Sequence, residues 1–166
     1  AAHDYIRRYG VKVGQRAVVF TSNDTAYRSA IALAVEGVEV SVLDTRAEVL
    51  GIIPQLARKE GIEVALGQAI TCTYGKNRIE AVDTMSLSDD GMTVTGSPRR
   101  IDCDSVLMSG GWSPTVHLYS QSQGKLSYNS EIGAYVPGKA AQKQRSAGAC
   151  HGAFDLSRCL EEGWYA

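Results

Sequence analysis

Residues 18–26, Val18-Val19-Phe20-Thr21-Ser22-Asn23-Asp24-Thr25-Ala26, decide the fold. An apolar run from Ala17 to Phe20 feeds a tight polar turn. A segment with helical spacing follows, then a second strand-like segment from Val38 to Leu43 that ends on Asp44. That order makes a βαβ unit with an acid closing its second strand. Nucleotide-binding units of this kind carry G-x-G-x-x-G at the turn. The first glycine allows the tight bend, the second lets backbone approach the pyrophosphate, and the third lets helix pack on strand. Here the three positions hold Thr21, Asn23 and Ala26. Ala26 is small enough for the third role. Asn23 reaches the left-handed conformation more readily than most residues, but its side chain stands where a phosphate would approach. The fold signature survives while the binding signature is damaged.

Working outward, Arg16 to Thr21 reads as strand one, with Asp24 placed to cap the next helix. Ala26, Ala30, Ile31, Leu33, Ala34 and Val35 share one broad face of that helix, and Gly37 ends it. A second helix is expected from about Ala47 to Glu60, kinked or split at Pro54, with Val49, Leu50, Ile53, Leu56 and Ala57 turned inward. Gly61 ends it, and Ile62 to Ala65 is strand three. The texture then changes to short alternating runs, Ala69–Tyr74, Arg78–Met85, Gly91–Thr95 and Arg99–Cys103, separated by turn residues. These runs read as an antiparallel meander, with Cys72 and Cys103 in its core. Ser105 to Ser109 returns to the parallel sheet and breaks at Gly110-Gly111. Beyond it lie a short helix (Thr115–Ser122), two short strands (Lys125–Tyr128 and Ala134–Val136), a polar loop, and small residues (146–154) opening a last helix from Phe154 to Glu162. The expected class is therefore α/β: a Rossmann-like βαβαβ parallel sheet with an antiparallel β-meander. The expected divisions are an approach segment (1–14), a nucleotide-binding-like domain (15–114) and a segment returning to a neighbouring dinucleotide-binding domain (115–166). Both ends read as cut from a longer polypeptide.

The chain has 166 residues, a formal net charge of −1 and 44% hydrophobic residues. Its pI is about 6.3 and its mean hydropathy −0.14. A near-neutral balance gives no electrostatic footprint for nucleic acid or an anionic membrane. No apolar run approaches the ~18 residues of a transmembrane helix. The cysteines, at 72, 103, 150 and 159, have no C-x-x-C spacing and read as reduced thiols of a cytoplasmic protein. No zinc, P-loop or Ser-His-Asp pattern appears, and Cys150-His151 lacks a third ligand, so no metal is expected.

The order of elements resembles the second nucleotide-binding domain of the glutathione-reductase-like flavoproteins, which carry two dinucleotide domains. Asp104-Ser-Val-Leu-Met-Ser-Gly-Gly-Trp-Ser-Pro114 resembles the exit from that domain. Ser146-Ala-Gly-Ala149 sits where the family has Ala-x-Gly-Asp, with Ala149 in place of the aspartate. Cys159-Leu-Glu-Glu-Gly163 is similar to its Ala-x-x-Glu-Gly. Three stretches narrow the match: residues 5–11, residues 21–27 with Asn-Asp-x-Ala-Tyr, and residues 109–118 with Gly-Gly-Trp-x-Pro-x-Val-His-Leu. Together they resemble the α subunits of heterotetrameric sarcosine oxidases. The resemblance implies an oxidoreductase that demethylates sarcosine to glycine, formaldehyde and hydrogen peroxide, or passes the one-carbon unit to tetrahydrofolate. It implies partnership with β, γ and δ subunits, NAD in the α subunit, and FAD and FMN elsewhere in the assembly. It places no amine-oxidation residue in this chain, which is not expected to be active alone.

Two turns are candidates for a dinucleotide. At the first, Thr21, Asn23, Asp24 and Ala26 offer backbone N–H groups at a helix N-terminus. Asp44, 18 residues beyond Ala26, stands near the spacing of a ribose-binding acid. The competing reading is a turn kept for folding, with Asp24 repelling phosphate and Asp44 a plain strand-end residue beside Arg46. At the second, Gly148, Ala149, Gly152 and Phe154 form a small-residue turn. In the family this turn faces a dinucleotide; loss of the acid at Ala149 is tolerable for NAD, which has no ribityl group.

Overall fold

The computed structural model describes all residues from 1 to 166. They form two compact units, Ala1–Gly111 and Trp112–Ala166.

In the first unit, β1 (Arg16–Thr21), β2 (Glu39–Asp44), β3 (Glu63–Leu66) and β7 (Ser105–Ser109) make a parallel sheet of order β3-β2-β1-β7. Alternate β1 residues serve opposite faces, as strand geometry requires. Ala17 and Val19, with Val40 and Val42, pack under α1 (Ala2–Tyr9), α2 (Thr25–Val35) and α3 (Ile52–Lys59). Val18 and Leu43 pack under the other layer, an antiparallel sheet of β4 (Gln68–Tyr74), β5 (Ala81–Leu87) and β6 (Val94–Asp102). Both faces of the parallel sheet are covered, which explains the unbroken apolar run Ala17–Phe20 of β1. The class is α/β, with parallel sheet and meander as the sequence implied. At the amino-terminal edge, Asp104 accepts the Gln15 and Arg16 N–H groups at 2.8–3.0 Å and ties β7 to β1.

Local details depart from expectation. Helix α3 begins at Ile52 rather than near Ala47, and Leu50 (76% exposed) and Leu56 face outward. Pro54 thus falls in the first turn, where a missing N–H costs nothing, and it neither kinks nor splits the helix. The two runs Gly91–Thr95 and Arg99–Cys103 merge into β6. Pro98 is accommodated because β6 is an edge strand, and residues 96–98 form the irregular stretch opposite Met85. Cys103 is buried, but Cys72 is exposed. A register shift between Ile70 and Cys72 reverses the inward alternation there, setting Cys72 opposite Asp83. Asn23 does not adopt a positive φ; among non-glycine residues only Gln123 does.

The second unit holds α4 (His117–Gln121), a hairpin of β8 (Leu126–Asn129) and β9 (Ala134–Pro137), a 3-10 turn (Gly148–His151) and α5 (Leu156–Tyr165). The last helix starts two residues later than expected, after Asp155, whose carboxylate accepts the Arg158 N–H at 2.9 Å. Tyr119 anchors the hairpin by donating to the Gly138 carbonyl at 2.7 Å. Helix α5 buries none of its residues, and Leu156, Leu160 and Trp164 are all exposed. No helix in the chain is long and apolar enough to cross a membrane.

Candidate functional site

The carboxyl ends of β1, β2 and β7 meet at the first candidate turn. In open α/β sheets ligands enter the crevice beyond these ends where strand order reverses; here that point lies between β1 and β7. Thr21 is buried, and its hydroxyl donates to the Ser109 carbonyl at 3.0 Å. The Asn23 side-chain amide donates to the same carbonyl at 3.0 Å and approaches the Ser109 hydroxyl at 3.3 Å. The two strand ends are thus laced together across the reversal point. The other end of the Asn23 amide faces the helix: Oδ1 accepts the Thr25 N–H at 3.1 Å and the Thr25 hydroxyl. Asn23, rather than Asp24, therefore supplies the side-chain cap of α2. Ala26, buried at 5% exposure, packs in the helix-side core.

Asp44 closes the second strand and is wholly buried. The Tyr27 hydroxyl donates to Oδ2 at 2.8 Å. The Arg46 backbone N–H donates to Oδ1 at 3.0 Å, and its guanidinium reaches both oxygens, at 3.1 and 2.8 Å. The same guanidinium pairs with Asp24 at 2.8 Å. Burial, then the bond to Asp44, pushes the Tyr27 hydroxyl well above its ordinary range. The bond to Asp44 chiefly raises Arg46 as well. Asp24 in turn lies over Gly51, where an added Cβ would stand 1.9 Å from its Oδ2. A closed set of Tyr27, Asp44, Arg46 and Asp24 thus fills the ground between the turn and the end of β2. For a ribose hydroxyl to bond Asp44, one of these donors must first leave.

The second candidate turn needs its glycines: Gly148 has φ +69° and Gly152 φ +100°. Gly148 and Ala153 are buried, whereas Ala149 and Phe154 are exposed. The Gly148 N–H donates to Glu162 at 2.9 Å. Cys150 and His151 stay apart in function, the thiol donating to the Ala147 carbonyl at 3.1 Å and the ring meeting Glu162 at 3.3 Å. No group of three or more His, Cys, Asp or Glu residues stands close enough to hold a metal.

Sequence reasoning marked Asn23, Asp24, Asp44 and Arg46 but missed Tyr27, Ser109 and Glu162. Tyr27 lies one helical step past the turn, where a polar hydroxyl on a buried face was a usable signal. Ser109 and Glu162 are partners only through tertiary structure.

No family model matches the chain. Among solved structures it is similar to thioredoxin reductase from T. acidophilum (TM-score 0.72, 20% identity, 93% of this chain and 51% of that one). It is also similar to the bacillithiol disulfide reductase from Staphylococcus aureus (TM-score 0.66, 17% identity, 99% of this chain and 49% of that one). At these identities the likeness concerns the fold. In sequence it is 36% identical to the sarcosine oxidase subunit alpha of Corynebacterium sp. strain P-1 and 33% identical to that of strain U-96, each over 98% of this chain. It is 28% identical to the corresponding subunit of Rhizobium meliloti, again over 98% of this chain. The chain spans 17% of the length of the two Corynebacterium relatives and 15% of the third. Over nearly its whole length, then, the chain is similar to one segment of the sarcosine oxidase α subunits.

Proposed function

We propose that this chain is a scaffolding segment of a sarcosine-oxidase-type α subunit, within an enzyme that oxidatively demethylates sarcosine in a tetrahydrofolate-linked reaction. It contributes to enclosing NAD and takes no part in amine oxidation. The parent is read as a cytoplasmic assembly with β, γ and δ subunits carrying FAD and FMN; four free cysteines accord with a reducing compartment.

The supporting observation is the first crevice, whose polar groups already bond one another. Asn23 binds Ser109, and Asp44 holds Tyr27 and Arg46. Asp24 adds a carboxylate where pyrophosphate would need positive potential. Thr21, Asn23, Asp24, Ala26 and Asp44 thus serve the fold, and a dinucleotide does not fit there without dismantling them. The turn at Gly148, Ala149, Gly152 and Phe154 is the better contact. Its glycines let backbone approach a ligand, although the Gly148 N–H already donates to Glu162. When bound, NAD would supply the hydride-carrying nicotinamide; the chain's part is to hold it and limit its contact with water.

The competing reading, a working NAD(P)H-dependent reductase domain, is separated by titrating the chain with NADH and following nicotinamide fluorescence. Scaffolding predicts no saturable change up to about 1 mM, a concentration that would reveal even a binding energy of ~4 kcal/mol. Micromolar saturation would overturn it. NAD retained by the longer subunit, and lost on substitution at Gly148 or Gly152, would support the second turn as its contact.

A further inference from the structure

One face of α5 grips the 148–152 turn, and we propose that Glu162 is the positioning residue that sets the shape of that turn, a role that rests on the turn's proposed contact with the dinucleotide.

Two glycines in left-handed conformations give the turn its path but also the freedom to abandon it. Something outside the turn must hold it. Two hydrogen bonds from α5 do so, Gly148 N–H to Glu162 Oε2 at 2.9 Å and Cys159 Sγ to the Ala153 carbonyl at 3.1 Å, beside the packing of Ile132 and Val136 against Gly152; within the turn, Cys150 Sγ donates to the Ala147 carbonyl at 3.1 Å. Cys159 and Glu162 are three residues apart on α5 and so share a face. That face therefore fixes both ends of the turn. A thiol is a weak donor, whereas a bond to a charged group is about twice as strong as a neutral one, so Glu162 carries most of the restraint.

The carboxylate is itself held in place. Arg158, one turn earlier, reaches Oε1 at 3.2 Å, and the His151 ring lies 3.3 Å from Oε2. Its side chain keeps only 20% of its exposure, while the neighbouring Glu161 is exposed. The Gly148 N–H is the main reason its carboxyl sits below the ordinary range. Helix α5 is capped by Asp155 and buries no side chain, so Glu162 serves the turn rather than a core.

The test compares Glu162→Ala, Glu162→Gln and the control Glu161→Ala. Amide exchange is read on the chain, and NAD affinity on the longer subunit that contains it. Glu162→Ala should speed Gly148 amide exchange and weaken NAD binding, each about tenfold, the value of one bond to a charged acceptor. Glu162→Gln keeps an acceptor oxygen and should recover part of both effects. Glu161→Ala should change neither, and Val19 and Val42 amides should stay protected in every variant. Unchanged Gly148 exchange and unchanged NAD affinity in Glu162→Ala would overturn the proposal. If the parent subunit retains no NAD, the assignment of the turn fails instead. The exchange data then decide the positioning role alone, faster Gly148 exchange sustaining it and unchanged exchange ending it.

Discussion

Asp44 shows how one residue can keep its place in a motif while its role changes. A strand-end acid with free oxygens can receive a ribose; one that accepts four hydrogen bonds from Tyr27 and Arg46 cannot without losing a partner. Breaking a buried ion pair by removing one member costs more than the pair contributes, because the survivor stays desolvated. Arg46 keeps a third of its side chain exposed, which tempers the cost. Asp44→Asn should therefore lower unfolding free energy by about 2–3 kcal/mol, and Tyr27→Phe by about 1–2 kcal/mol, read from urea midpoints at constant slope. An Asp44→Asn chain as stable as the parent would show that the network is not structural. Asp44 was legible from spacing alone. Arg46 beside it was legible as a partner, but Tyr27 was not, since nothing in local sequence pairs a helix tyrosine with a strand end 17 residues away.

At the scale of elements, turn and helix starts interlock through Gly51. Its φ is −62°, so backbone strain is not the reason for glycine; space is. A Cβ there meets Asp24 Oδ2 at 1.9 Å. Gly51→Ala must push Asp24 off Arg46, whereas Gly51→Ala combined with Asp24→Ala removes the collision. The double variant should be more stable than additivity allows by about 0.5–1 kcal/mol, the size expected for directly touching residues; strict additivity in denaturant unfolding would contradict the contact. In the meander, Asp83 joins three strands. Arg100 reaches it at 3.0 Å and the Tyr74 hydroxyl at 2.6 Å, with the Arg100 guanidinium over the Tyr74 ring. Arg100 first, then Tyr74, hold the Asp83 carboxyl below its ordinary value, and Tyr74 is pushed up to about 12, mainly by Asp83. A carboxyl depressed in the folded state stabilises above its unfolded pKa of about 4, and that contribution is lost as pH falls through the carboxylate range. Between pH 7 and 3 the urea midpoint should drop less steeply in Asp83→Asn than in the parent; parallel curves would remove Asp83 from the acid response. The strands of the parallel sheet were legible because their centres are apolar, continuously so in β1, where both faces are buried. The start of α3, the merged β6 and the outward Cys72 were not. Each depends on how a proline or an extra residue is accommodated by neighbours far along the chain.

At the scale of the molecule, the parallel sheet and meander are kept while the polar groups at the carboxyl ends of β1, β2 and β7 bond one another. Fold similarity to disulfide reductases and sequence similarity to one segment of sarcosine oxidase α subunits fit that description. The degenerate glycines at Thr21 and Asn23 were visible in sequence, but the means of closure, Asn23 to Ser109 across the reversal of strand order, required the fold. The most direct test is an amide chemical-shift titration of the 15N-labelled chain with NADH. Residues 21–26, 44–46 and 109 should remain unmoved to millimolar ligand, about the limit of weak specific binding. Saturable shifts centred on Asn23, Asp44 and Ser109 would mean that the crevice opens to a dinucleotide, and the scaffold reading would fall.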